Sequence, residues 1–492
     1  MILSEKQIKF IAEEVCSNHR REARLEDYKR YLMLNGKTAE VIKESIVKEF
    51  KNPETVNELI ARLVPINLVQ KIISKLAGVF VQAPLRQVQD ENVSDSELMD
   101  EYVEVLNLNQ RQKEANRYFK LFKRNLKEVF VDETGTPHVR NLPRHTYEVF
   151  SMSSMTPNRP DVIVKILKDD KMANKVKLAI WTDESHWIVD GRGSILIQEM
   201  LDMQNPEGLN PYGKLPFTYV NESSDSVDPL TDDDLLKMSV VIPLLLTDLC
   251  YATKYQSFSI LWTINYDGNI PSNPNSVIAM NAAEGDVKPE IGQIKPEVDT
   301  DKVITFIKTL VAVLLTTKNL SVGALKMNLD SSDVASGISK MIDSADSVED
   351  KADQQSFFEK EEKELWNLLA FYMIPYWREN GMLKDELNKE FSPSFAMDIF
   401  FMYPKVMISE MEQVEISKAR LDAGFSTMDY ELSQIYPQLT AEQRQELAAA
   451  IDAEKQASQQ KFIREIDGPE SEDDFTQADE EEDDGTDAES DV

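Results

Sequence analysis

The sequence is poor in the features that mark several common kinds of protein. There are two cysteines in 492 residues, Cys16 and Cys250, far apart in apolar helical contexts. A disulfide framework is therefore not expected, and a reducing compartment suits the chain. The four histidines, His19, His138, His145 and His186, share no metal-like spacing with one another or with the cysteines, so no metal site and no cofactor are expected. No Gly-x-Ser-x-Gly motif occurs, and an enzyme is not expected. Asn35-Gly36-Lys37-Thr38 looks like the end of a phosphate-binding loop, but Tyr31 stands where that motif needs its first glycine and no buried strand precedes it. A helix stop at Gly36 and a cap at Thr38 account for all four residues.

Long apolar runs are also missing. Val240 to Ala252 and Val303 to Thr317 are the most apolar stretches, and they contain Asp248 and Lys308. Crossing a bilayer takes about 20 predominantly apolar residues, so both read as buried helices and no membrane partner is expected. The opening Met1-Ile-Leu-Ser-Glu-Lys lacks the basic start and apolar core of a signal peptide.

What the chain does have is acid: 87 Asp and Glu against 54 Lys and Arg, a net charge of -33. Residues 465–492 carry fifteen of the acids and no Lys or Arg, which, taken from the total, leaves -18 on residues 1–464. Like charges repel, and this segment has little apolar area to offset ordering entropy, so a disordered tail is expected. Such acidity argues against a protein whose task is to grip nucleic acid, but not against one that DNA slides past. The one basic stretch, Arg111, Lys113, Arg117, Lys120, Lys123, Arg124 and Lys127, reads first as a solvated face or as partners for acidic neighbours, and second as a contact for DNA or another subunit.

With 42% apolar residues the chain can build real cores, and its length suggests about three compact units. The first 85 residues read as helices, with stops at Gly36, a start at Pro53-Glu54, and an apolar helix over Val64 to Phe80. Residues 96–127 read as helical again. From Glu128 to Val220 strands alternate with turns such as Asp132 to Pro137 and Asp190-Gly191. Asp183, Glu184, His186 and Asp190 cluster there, and a tight hairpin accounts for them. Pro229 to Gln256 is a helix with an acidic first turn, Asp232-Asp-Asp, suited to the helix dipole, and Pro243 should kink it unless the lost amide is compensated. Short strands follow over 257–296, including Ser259 to Ile264 and Val277 to Met280. Val303, Ile307, Leu310, Val311 and Leu314 then recur at helical spacing. The sixteen-residue loop Lys318 to Asp333 is longer than structureless connections usually are. Ser336 to Arg378 is a helix of roughly 60 Å at the standard rise. Phe395 to Tyr403 reads as a strand, and Ser409 to Gln460 as helices.

An apolar helix, a loop of small and amide residues ending in Ala335-Ser336-Gly337, and a long charged helix, in that order, resemble the tunnel-loop region of portal proteins from tailed bacteriophages. Three further segments are similar to that family. Asn210-Pro-Tyr-Gly-Lys-Leu-Pro-Phe carries its Asn-x-x-Gly-x-x-Pro core running into a strand; Ile278 to Ile294 gives a strand, a Gly-Asp turn and a Gly-containing segment; Leu68 to Pro84 gives an early helix ending at a proline.

The resemblance implies an α+β, mainly α, portal-like fold. Residues 1–228 would form a wing whose part 128–220 is β-rich; 229–256 leads into the stem, 257–297 is a small α/β clip, and 298–317 is the second stem helix. Residues 318–335 would be the tunnel loop, 336–404 the long wing helix and strand, 405–464 a helical crown, and 465–492 the acidic tail. The implied function is a homo-oligomeric ring, a dodecamer in the family, at one capsid vertex of the virion, assembled in the host cytoplasm. Double-stranded DNA passes through it independently of sequence. Implied partners are the terminase large subunit, the major capsid and scaffold proteins, and a head-completion adaptor. Lys318, Asn319, Lys326 and Asn328 are the candidate DNA contacts, through phosphate rather than base edges. Gly323, Ser336 and Gly337 are candidate loop hinges, Ile307, Leu310, Val311 and Leu314 candidate stem-packing residues, and Trp262, Tyr266 and Asp267 candidate docking residues in the clip. The competing reading is an acidic scaffold or adaptor that binds basic partners.

Overall fold

The computed structural model describes residues 2–89, 92–170, 175–257, 260–264, 290–294, 299–320 and 337–401, and the segments 417–421, 423–424, 426–435, 445–451 and 453. The chain divides into two compact units, Met1–Pro404 and Lys405–Val492. In the second, the described part centres on the helix Met428–Ile435, where Leu432 is buried and Glu431 accepts a 2.6 Å bond from the Ser417 hydroxyl. The acidic tail lies outside the described residues.

The first unit is mixed α/β. Helix α1 (Glu5–Val15) opens with a capping box between Ser4 and Gln7, and its face of Ile8, Ile11, Ala12 and Val15 joins a core with Val162, Leu178, Ile180 and Val189. Helix α2 (Asn18–Leu34) stops as expected: Gly36 has φ +81, and Lys37 N–H closes back on Leu32 O at 2.8 Å. The expected cap at Thr38 does not form. Lys37 is the capping residue of α3 (Thr38–Glu49) and makes no side-chain capping bond, while Thr38 is buried as the first helical residue. Helix α4 (Pro53–Ala61) begins with Pro53 and Asn52, whose carbonyl oxygen caps Glu54 N–H at 3.0 Å.

Two helical expectations were too long. The one over 64–80 shrinks to α5 (Leu68–Leu76), because Pro65 disfavours helix at Val64 and the Asn67 side chain takes Gln70 N–H, which fixes the start. The stretch 96–127 is α6 (Val93–Val105), α7 (Leu108–Phe122) and then a strand. Asn107 and Lys123, at φ +50 and +60, adopt the left-handed conformation that ends each helix.

That strand, β2 (Arg124–Val131), pairs antiparallel with β3 (Pro137–Leu142) and, on its other edge, with β8 (Phe217–Asn221). Strands β4 (Tyr147–Phe150), β5 (Val162–Asp170), β6 (Lys175–Trp181) and β7 (His186–Asp190) form a second antiparallel sheet in that order, followed by the short helix α8 (Ile197–Asp202). A smaller pair joins β1 (Leu85–Val88) to β11 (Met397–Phe400), which is shorter than the strand expected over 395–403. The long helix α11 (Gly337–Leu368) continues through a π turn, Leu369–Met373, into α12 (Ile374–Glu379). Pro375 explains the π turn: it has no N–H for the preceding turn's carbonyl, and the widened turn absorbs the loss. Trp366 and Trp377, both fully buried, anchor this helix among Tyr102, Phe391, Phe395 and Met397.

Charge is buried in the same body. Glu148 accepts bonds from Arg24 at 2.8 Å and from Arg20 and Arg144 at 3.0 Å each, and Arg30 reaches Asp27 at 3.1 Å and Asp233 at 2.8 Å. Glu148 is ionised despite its burial, because those guanidiniums hold its carboxyl below the usual range. A second network joins Lys127 to Glu361 and to Gln112 at 2.8 Å, Thr218 to Glu361, and Arg86 to Glu362, tying β2, α7, β8 and α11 together. Much of the basic stretch is consumed here: Lys120 pairs with Asp350, Lys123 with Glu222, Arg124 with Asp228, and Lys127 with Glu361.

Candidate functional site

Helix α9 (Asp233–Ser257) has Asp233 and Asp234 in its first turn, where carboxylates suit the positive end of the helix dipole. It runs through Pro243 as one helix; Thr247 donates its hydroxyl to Pro243 O at 2.7 Å and accepts Val64 N–H at 3.2 Å. After it come β9 (Ile260–Ile264) and β10 (Glu290–Ile294), paired antiparallel with Trp262 opposite Gly292. Helix α10 (Thr300–Thr317), capped by Asp299, then returns. Lys318, just beyond its end, places Nζ 2.8 Å from both Asp232 and Asp234 at the start of α9. The two helices are therefore antiparallel, and at 1.5 Å per residue the strand pair lies about 37 Å along α9 from this base.

The expected packing residues of α10 face inward. Ile307, Val311 and Leu314 are buried and Leu310 is partly so, all in one cluster with Leu235, Leu236 and Ile242 of α9, Ile72 and Ile73 of α5, and Phe122 of α7. Other apolar residues stay out: Phe306 is 54% exposed, Val313 51% and Val241 41%. By length and composition alone, α9 is apolar enough over Asp233–Thr253 to cross a membrane. That differs from the expectation of a short buried run, because helix extends on both sides of the apolar core of the segment.

The base is a charged junction. Lys123 reaches Glu222 at 2.8 Å and Asp232 at 3.7 Å, and Lys120 reaches Asp350 of α11 at 2.7 Å. These groups, with Arg30, Lys318 and Asn319, line a cavity of about 160 Å³. Burial lowers the Lys123 ammonium, but Glu222 and Asp232 outweigh it and the net shift is upward. Burial likewise raises Asp232, and Lys318 and Lys123 more than reverse it.

Of the loop candidates, Lys318 sits in this junction and Asn319 follows it with φ +53. Gly337 is the first residue of α11. Gly323, Lys326, Asn328 and Ser336 lie outside the described residues, as do Tyr266, Asp267 and the strand expected over 277–280. The sequence reading named Asp232-Asp-Asp for the helix dipole and missed its pairing with Lys318. Their separation of more than eighty residues leaves no local signal.

The Asn210 motif has a structural task. The Asn210 amide donates to Thr182 O at 2.8 Å and Lys214 O at 2.9 Å, Gly213 takes φ +65, and Leu215 N–H meets Asp183 at 2.9 Å. The turn thereby clamps the β6–β7 hairpin to the start of β8. Within that hairpin His186 stacks on Trp181 at 3.5 Å, and Asp190 caps its own turn through Arg192 and Ser194 N–H at 2.8 Å each.

No protein-family model and no curated protein matches the sequence. Among solved structures, the chain is similar to an HK97-family phage portal protein from Corynebacterium diphtheriae, at 9% identity and a TM-score of 0.30, over 68% of this chain and 91% of that one. At that level the likeness is slight, and function has to be argued from this chain's own residues.

Proposed function

We propose that the chain is a portal subunit of a tailed bacteriophage, a ring-forming, non-enzymatic protein of the virion through which double-stranded DNA enters and leaves the capsid. The observation that carries the reading is the antiparallel arm: α9 leads out from the body, β9 and β10 pair at its tip, and α10 returns to a charged base from which residues 321–336 connect to α11. That order agrees with the order of elements the sequence resemblance implies. In this reading the tip, 257–297, docks the terminase large subunit and the head-completion adaptor. The loop 318–335 reaches the channel, with Lys318, Asn319, Lys326 and Asn328 as its DNA-side groups, and 405–464 forms the crown. The body touches the major capsid and scaffold proteins.

Physical reasons support it. The arm keeps apolar side chains exposed, which a lone soluble chain seldom does without a partner surface. Much of the basic stretch is neutralised by acids, so DNA would meet a wall that holds it weakly. The test is negative-stain imaging of the purified protein. Rings with a central hole are expected; a monomer or dimer across a wide range of concentration and salt overturns the reading and favours an acidic adaptor. A second arm replaces Asn319 to Asp330 with a short Gly-Ser linker. Rings should persist while heads package or retain DNA poorly.

A further inference from the structure

The outer stripes of α9 and α10 match each other, though they lie on opposite-running helices of the same arm. On α9 Lys237, Val241 and Asp248 form one exposed stripe; on α10, which is exposed on several faces, Lys302, Phe306 and Val313 form another. Spacings of four and seven residues keep each trio on one face of its helix, away from the buried rows. Heights above the base follow from 1.5 Å per residue: Asp248 stands at about 22 Å and Lys302 at about 24 Å, while Val241, at about 12 Å, falls between Val313 at about 8 Å and Phe306 at about 18 Å. A rotation about an axis parallel to the arm preserves height. A second copy so placed would bring Asp248 to Lys302 and Val241 to Phe306 and Val313, with Lys237, at about 6 Å, at the lower edge beside Val313.

The charges on these stripes are available. Among the described residues Asp248 has no cation partner and faces only Glu49 of α3, whose charge, after burial itself, pushes the Asp248 carboxyl up. Lys302 is held only by Asp299, at 2.8 Å, in a pair open to solvent.

We infer that the α9 stripe of one copy docks on the α10 stripe of the next, with Asp248 meeting Lys302 and Val241 seated against Phe306 and Val313. This deepens the ring reading and rests on it. Its new content is that the surface between copies is, on α10, not the row of Ile307, Leu310, Val311 and Leu314 but the stripe roughly 120° around the helix from it. Because the contact is head to tail, it propagates around a ring instead of stopping at a dimer.

The test is a charge exchange in the full chain: Asp248→Lys, Lys302→Glu, and both together, with assembly followed by light scattering and folding by thermal unfolding. Each single variant should raise the concentration needed for assembly by at least about tenfold, and the double variant should return to within about threefold of the parent, since coupling appears only when both partners are present. The single variants should unfold with the parent's transition. Singles that assemble like the parent, or a folded double variant that does not recover, overturn this interface and leave the ring reading standing. A parent that stays monomeric removes both. A parent that sediments with phosphatidylcholine vesicles instead of assembling identifies the stripe as a membrane surface and overturns the inference.

Discussion

The body and the arm of this chain handle charge and apolar surface in opposite ways. In the body, carboxylates such as Glu148 and Glu361 are almost fully buried and are met by arginines and lysines from distant parts of the sequence, and large aromatics such as Trp366, Trp377 and Phe119 are inside. In the arm, Phe306, Val313 and Val241 stay exposed, and the ion pairs gather at the base, where water still reaches them. The charge networks of the body close within one chain. The arm is packed on its inner side, and in the proposed ring its outer apolar residues are the surface a neighbouring copy covers.

The largest effect should come from the body. Glu148→Ala leaves Arg20, Arg24 and Arg144 without their shared carboxylate, and an uncompensated buried charge costs about 3–5 kcal/mol. Denaturant unfolding should show that loss; a variant within about 1 kcal/mol of the parent would mean that Asp27 and Asp228 suffice for the arginines and that the body is less specified than described. In the arm, Leu314→Ala should cost about 3 kcal/mol, since it opens a cavity between α9, α10 and α5. An effect near zero would mean that the inner face of the arm is loosely packed, and the contrast between the two regions would fail.

These regions also differ in how legible they are in the sequence. The inner row of α10 was readable because Ile307, Leu310, Val311 and Leu314 repeat at helical spacing, and Gly36, Pro53 and the Asp190 turn announced themselves by residue type. The breaks at Asn107 and Lys123 were not, because ordinary residues adopt the left-handed turn there and the surroundings, not the local sequence, hold them in it. Lys127 read as one more charge in a basic stretch; only the fold brings Glu361 to it from 234 positions away. The same holds for the base of the arm. Lys318 was picked for its place in the loop, and its two carboxylate partners come from the far side of the helix pair.

A pH titration sharpens the account of the body. His186, buried against Trp181, is held at about 4, well below the ordinary 6.5, by burial first and then by the charge of Lys165. The unfolded chain takes up a proton near 6.5 and the folded chain only near 4. The stability from keeping this ring neutral is thus fully present above 6.5, falls as pH drops toward 4, and is constant below. The loss should amount to about 3 kcal/mol over that window and shrink in His186→Gln. Parallel stability curves for parent and variant would show that the ring is charged in the fold.

The smallest effect belongs to the base of the arm. Lys318 bonds two carboxylates that are each 43–48% exposed, so Lys318→Ala should cost about 1 kcal/mol or less and the cost should vanish in high salt, because water and ions already compete for the pair. The inner packing of α9 on α10 does not depend on that ammonium, so the variant should still assemble as the parent does. What changes is the exit of the chain from α10. Without the lysine, Asp232 keeps only Lys123, and the start of the 321–336 segment is no longer tied to the start of α9. Thermal unfolding in low and high salt measures the first effect, and limited proteolysis between α10 and α11 measures the second, with faster cleavage expected in the variant. A stability loss as large as that of Leu314→Ala, unchanged by salt, would show that the base holds the arm together, and the division between a self-sufficient body and a partner-dependent arm would have to be redrawn at Lys318.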